Sequence, residues 1–114
     1  MNSTVKRQWV DALRSGEYEQ ATGTLKDNNG FCCLGVLCDL YLKENNKEWV
    51  HHPNDNRCSI EDSYEILPLN VSNWAYLGDL DPYFYEENQK QFLTYLNDNG
   101  YDFNRIADLI EENF

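Results

Sequence analysis

Basic side chains are scarce in this sequence, with nine Lys/Arg against twenty Asp/Glu and a formal net charge of −11. The shortage is uneven. Residues 1–57 carry seven bases against eight acids, a balance of −1, whereas residues 58–114 carry two against twelve, a balance of −10. An acidic half repels nucleic acid and membrane surfaces and attracts a basic partner. Neither direct nucleic-acid binding nor a membrane partner is expected. The opening Met1-Asn2-Ser3-Thr4-Val5-Lys6-Arg7 has no apolar core of the signal-peptide kind, and no apolar run approaches membrane-spanning length. These absences predict a soluble, intracellular protein.

Other chemistry is missing as well. The four cysteines, Cys32, Cys33, Cys38 and Cys58, form no Cys-x-x-Cys pair, and the two histidines, His51 and His52, are adjacent and form no His-x₃₋₅-His pair. Without an export signal the thiols are expected to be reduced, three of them acting as small hydrophobes. Gly16, Gly23, Gly30 and Gly35 are too scattered for a phosphate-cradling loop. No Ser nucleophile or paired carboxylate stands beside a histidine, so no hydrolase constellation is visible. The expectation is a protein that is not an enzyme and holds no metal or cofactor. An enzyme built on His51, His52 and Cys58 is the least supported alternative. Internal repeats and low-complexity segments are absent too.

What is abundant is aromatic and aliphatic surface. Three Trp, eight Tyr and five Phe in 114 residues supply a core for one globular domain over 1–114. The stretch Phe31 to Leu42, broken only by Asp39, is too long for a strand and apolar on nearly every side. It predicts a buried central helix. Val5, Trp9, Ala12 and Leu13 predict a first helix capped by Ser3 or Thr4 and stopped at Gly16. Residues 18–26 read as an extended arm, and Asp27-Asn28-Asn29-Gly30 as a turn that offers Asn28 or Asn29 as cap to the central helix. Gly35 suits close helix packing. Trp49-Val50-His51 and Arg57-Cys58-Ser59-Ile60 predict a two-stranded ribbon. Val71, Trp74, Ala75 and Leu77 predict a short helix stopped by Gly78. Asp81-Pro82 reads as a helix start, and a longer helix is predicted over 86–98. Asp102 caps a last one, with Phe103, Ile106, Ala107, Ile110 and Phe114 on one face. The fold class is α+β, mostly helical: a central buried helix, packed flanking helices and a small antiparallel β ribbon. If Tyr83, Phe84 and Tyr85 form an exposed patch, a homo-oligomer follows.

Several phrases together carry a resemblance. They are Trp9-Val10-Asp11-Ala12-Leu13-Arg14-Ser15-Gly16, the run Phe31-Cys32-Cys33-Leu34-Gly35-Val36-Leu37-Cys38-Asp39-Leu40, Leu67-Pro68 with Trp74, and Leu96-Asn97-Asp98-Asn99-Gly100 followed by Ile106-Ala107-Asp108-Leu109-Ile110. The chain resembles a family of small bacteriophage and prophage proteins of uncharacterised activity that carry this cysteine-leucine motif. The resemblance implies a phage accessory protein in the host cytoplasm and implies no catalytic residues. Glu17 and Glu19 stand where relatives are often basic, which argues against a phosphate grip by the arm.

Helix N-termini and basic side chains are generic anion sites, and aromatic faces stack on bases. On that chemistry Arg7, Arg14, Tyr18, Lys26, Trp49, Trp74 and Tyr76 are the expected binding residues for a small anionic, nucleotide-like ligand. The expected function is non-catalytic capture, with counter-defence by sequestering a nucleotide-derived signal as its form. The alternative is an acidic interaction protein, nucleic-acid-mimicking in charge, that occupies a basic surface of a host protein.

Overall fold

A computed structural model describes residues 1–114, with five helices and two small antiparallel sheets of two strands each. The chain is α+β and mostly helical, as its sequence implies. Helix α1 (Ser3–Arg14) buries Val5, Trp9, Val10 and Leu13, the stripe a 3.6-residue period requires. Ser3 and Thr4 do not cap it. They already lie inside the helix, and the Asn2 side chain accepts from the Val5 amide at 2.9 Å. Ser15 closes the helix and Gly16 follows with φ +76°, where a left-handed residue ends the turn.

Helix α2 (Cys33–Glu44) is the central post, with nine of its twelve residues buried. It packs against α1, and the Trp9 indole donates to the Cys33 carbonyl at 3.0 Å. Its cap is neither Asn28 nor Asn29. Asp27 holds that turn, accepting from the amides of Asn29 (2.7 Å) and Gly30 (3.0 Å). Phe31 and Cys32 are still extended, because they pair with the arm. Phe31 donates to the Glu19 carbonyl and accepts from Ala21, and Cys32 donates to Leu25. The helix therefore starts later, and the Cys32 thiol accepts from the Gly35 amide at 3.4 Å.

The arm (residues 18–26) lies across the start of α2 at Gly35, so close that a Cβ there would sit 1.8 Å from the Leu25 carbonyl oxygen. Beyond α2, strands β1 (Val50–His51) and β2 (Cys58–Ser59) form the expected ribbon, pairing Val50 with Ser59 and His51 with Cys58. The ribbon hooks onto the arm through the Cys58 amide and the Lys26 carbonyl, 2.9 Å apart. Helix α3 (Leu69–Ala75) packs on α2 and stops earlier than Gly78, at Tyr76, which takes the left-handed position itself.

The segment after Pro82 corrects the sequence reading. No helix starts at Asp81-Pro82 or spans 86–98. Residues 83–92 form a hairpin of β3 (Tyr83–Glu86) and β4 (Gln89–Phe92), and only Leu93–Asp98 is helical, as α4. Glu87 and Asn88, both at positive φ, make a two-residue turn of the hand that suits paired strands. Aromatic Tyr83, Phe84 and Tyr85 favour a pleated surface over a helix. Asp81 instead accepts from the Thr94 hydroxyl at 3.0 Å. Phe84 turns inward against Phe114 (ring centroids 6.5 Å), so the three aromatics do not form one exposed patch. Asp102 caps α5 (Phe103–Asn113) through the Arg105 amide, and α5 lies along α1. One apolar cluster draws on all five helices and surrounds α2. No helix is long and apolar enough to cross a membrane.

Candidate binding groove

Asp39, the one charge in the α2 run, is where the flanking segments converge. The Tyr18 hydroxyl donates to its Oδ2 at 2.6 Å, the Trp49 indole donates to its Oδ1 at 3.0 Å, and Lys43, one turn on, sits 3.1 Å from Oδ2. Burial alone would push this carboxyl up. The bonds from Tyr18, Trp49 and Lys43 outweigh that and hold it below the ordinary aspartate value. Burial and the bond to Asp39 push the Tyr18 phenol up, and bonds to Asp39 and Tyr18 raise Lys43. An ionised buried acid thus fixes one residue from the arm and one from the start of the ribbon. Buried charges persist only when paired and hydrogen-bonded in this way.

Around it the rings close up. Tyr18 meets Phe31 edge-on at 5.0 Å, Phe31 meets Trp49 at 6.1 Å, and the Lys26 ammonium stands 4.6 Å above the Phe31 ring. Beside this cluster opens a groove of about 390 Å³, lined by Asp39, Lys43, Lys47, Glu48, Trp49 and His51. Lys47 is exposed and takes part in none of the molecule's ion pairs. Because its N–H is fixed on Asp39, Trp49 forms a wall that does not need ordering when something binds.

His51 and Cys58 do come together, with 3.3 Å between Nδ1 and Sγ. The thiol is closed to solvent and burial pushes it up, which favours the neutral SH over the thiolate a nucleophile needs. His52 is engaged elsewhere, at 2.9 Å from the Ser59 hydroxyl and 3.2 Å from the Tyr64 hydroxyl. Cys32, Cys33 and Cys38 are buried, and burial pushes Cys32 up to about 11. No three His, Cys, Asp or Glu side chains are grouped to hold a metal ion.

Of the seven residues singled out in the sequence, Tyr18, Lys26 and Trp49 thus share one neighbourhood. Arg7 and Arg14 lie on the α1–α5 seam instead, both 3.1 Å from Glu111, with Arg14 also 2.6 Å from Asp108. Trp74 packs edge-on against Tyr41 and donates to Glu44, while Tyr76 projects into solvent. Asp39, Phe31, Lys43 and Lys47 were not singled out. The available signal was an isolated Asp in an apolar run with a Lys four residues on, the spacing of an ion pair on one helix face.

The sequence model of one family, described as a domain of unknown function (DUF8296), matches residues 1–114, and the chain belongs to that family. No curated protein and no solved structure matches it.

Proposed function

We propose that this DUF8296 member is a non-catalytic binding protein that captures a small anionic ligand with an aromatic ring, of nucleotide type, in the groove beside Trp49. One observation carries the reading. In a chain of net charge −11, Lys47 and His51 line the same concave surface as an immobilised tryptophan, with Lys43 paired to Asp39 and Glu48 the one further acid. Lys43 is raised by Asp39 and Tyr18 and stays protonated. Lys47 has its charge free for a phosphate. At about 390 Å³ the groove falls in the range of small-ligand sites. The resemblance to phage and prophage proteins supplies the setting: counter-defence in the host cytoplasm by stoichiometric sequestration of a nucleotide-derived signal.

Isothermal calorimetry against cyclic dinucleotides and ADP-ribose-type nucleotides tests this, with the ligand recovered afterwards by mass spectrometry. The expected result is one-to-one binding, an unchanged ligand, and a loss of about tenfold or more in Lys47→Glu, the worth of one charged hydrogen bond. No heat from any of them at micromolar protein removes the reading. A ligand returned in altered form makes the protein an enzyme.

A second reading, occupation of a basic host-protein surface, is favoured by a different observation. Glu61, Asp62, Glu65, Asp79, Asp81 and Asp98 take part in no ion pair. Asn70, Thr94 and Gly23 donate to Glu61, Asp81 and Asp98, whereas the side chains of Asp62, Glu65 and Asp79 accept no hydrogen bond and their charge is left for a partner.

A further inference from the structure

An apolar groove of about 350 Å³ runs between the turn at Glu61 and the segment Ile66-Leu67-Pro68-Leu69, with Leu80 as its far wall. Four aliphatic side chains in the molecule are large and exposed, and three of them lie here: Ile66 (40%), Leu69 (63%) and Leu80 (39%). Exposed leucines scattered singly are ordinary, whereas three in one concavity mark a binding surface. The walls are fixed before anything binds, because the Leu67 amide donates to the Leu80 carbonyl at 2.9 Å.

On its other side Ile66 borders a second, more enclosed cavity of about 190 Å³, which Glu65, Asp81 and Asp98 line together with Thr24 and Thr94. No basic side chain lines either space. The turn at the groove's rim adds two further acids. Ile60 and Ser63 exchange both backbone hydrogen bonds (3.0 and 2.8 Å) around Glu61 and Asp62, at φ +48° and +65°. Asn and Gly meet that backbone more easily, and the Glu61 carboxylate instead accepts from the Asn70 side-chain amide across the groove.

We infer that this surface docks a segment of a partner protein: an apolar side chain seats between Ile66, Leu69 and Leu80, and a neighbouring Lys or Arg enters the acidic cavity across Ile66. Charge complementarity selects the occupant. Carboxylates on the rim and in the adjoining cavity repel an acidic segment or a nucleic acid, and the aliphatic floor gives nothing to a purely polar one. The inference rests on the basic-partner reading above and adds to it a place and an anchor.

The test uses fluorescence anisotropy with two short fluorescein-labelled peptides of equal charge. One carries a Leu-Phe pair between Lys and Arg residues; in the other, Ser replaces Leu and Phe. The anchored peptide should bind, weakening as salt rises, and the Ser peptide should bind about tenfold less tightly or worse, the worth of one buried aliphatic side chain. Leu69→Arg, at a site exposed enough to leave folding intact, should abolish the preference, and Glu65→Lys should weaken both peptides. Lys47→Glu should leave the preference between the two peptides unchanged, which separates this face from the nucleotide groove. Equal binding of the two peptides overturns the groove while leaving the charge reading standing. No binding of either overturns both, and preference retained in Leu69→Arg overturns the groove.

Discussion

Gly35→Ala tests whether the arm is held where Tyr18 reaches Asp39. In an ordinary helix interior, alanine is favoured over glycine by about 1 kcal/mol. Here the added methyl would lie 1.8 Å from the Leu25 carbonyl oxygen and 2.8 Å from its carbon, and both are backbone atoms that no rotamer can move aside. Ordinary contact begins near 3.4 Å, so the arm and α2 must separate by over an ångström. That motion breaks the Cys32 to Leu25 hydrogen bond, worth about 1 kcal/mol, and loosens the fully buried Leu25, worth about 1.5–3 kcal/mol. Set against the helix-propensity gain, the net loss is about 1.5–3 kcal/mol, or roughly 6–13 °C in Tm for a chain of this size. Gly16→Ala is the control. Its Cβ meets nothing within 4 Å, but its φ of +76° costs a side chain about 1 kcal/mol. Urea unfolding of both variants decides. Equal losses, or a stabilised Gly35→Ala, refute the close approach and with it the fixed position of Tyr18 and Lys26.

Asn97 is 1% exposed, and its amide accepts from Gln20 and Cys33 and donates to Ala21, so Asn97→Ala should cost about 2–3 kcal/mol in urea unfolding; a loss below about 1 kcal/mol counts against the network. Asp39 has a folded pKa below its unfolded one, so the stability it contributes is full above the ordinary aspartate value of about 3.9 and is lost as pH falls through the lower folded value. The Tm difference between the native chain and Asp39→Asn should therefore hold constant from pH 7 to about 5 and shrink below about 4; a difference that stays constant to pH 3 contradicts the paired carboxylate. Iodoacetamide at mildly alkaline pH should leave Cys33 and Cys38 unmodified in the native protein and label them once guanidinium unfolds it, since burial raises both thiols. Rapid native labelling, read by mass spectrometry, would remove α2 as interior scaffolding.

The helices with an apolar period were legible because burial was written locally: α2 in its unbroken run, α1 and α5 in their stripes. The hairpin at 83–92 was not. Glu86, Glu87, Gln89, Lys90 and Gln91 are good helix formers, and the turn carries Glu-Asn where Asn-Gly would have announced it. What decides for strands is the inward anchoring of Phe84 on Phe114, a contact from the far end of the chain. The site divides the same way. Trp49, Tyr18 and Lys26 could be named for their chemistry, but their meeting point at Asp39 depends on two segments that no periodicity brings together. Arg7 and Arg14 looked free only because nothing local says that α5 will bring Asp108 and Glu111 beside them.

Once the fold is known, most of its charges explain themselves, and two of those left over stand beside concave surfaces. Lys43 sits in the last turn of α2, where the helix dipole favours a cation, and it neutralises Asp39 as well. Asp98 accepts from the Gly23 amide, Asp27 holds its turn, Asp102 caps α5, and Arg7 and Arg14 clamp α5 to α1. Lys47 does nothing of this kind. It stands beyond the end of α2, outside every ion pair, beside a tryptophan. Glu65 is likewise uncommitted, in the acidic cavity that Ile66 separates from the aliphatic groove. Surface charges with no structural partner contribute little to stability, typically within about 0.5 kcal/mol. Folding therefore gives no reason for these residues to be charged, and the signs they carry match the partners each surface would have to attract: an anion at Lys47 and a cation at Glu65.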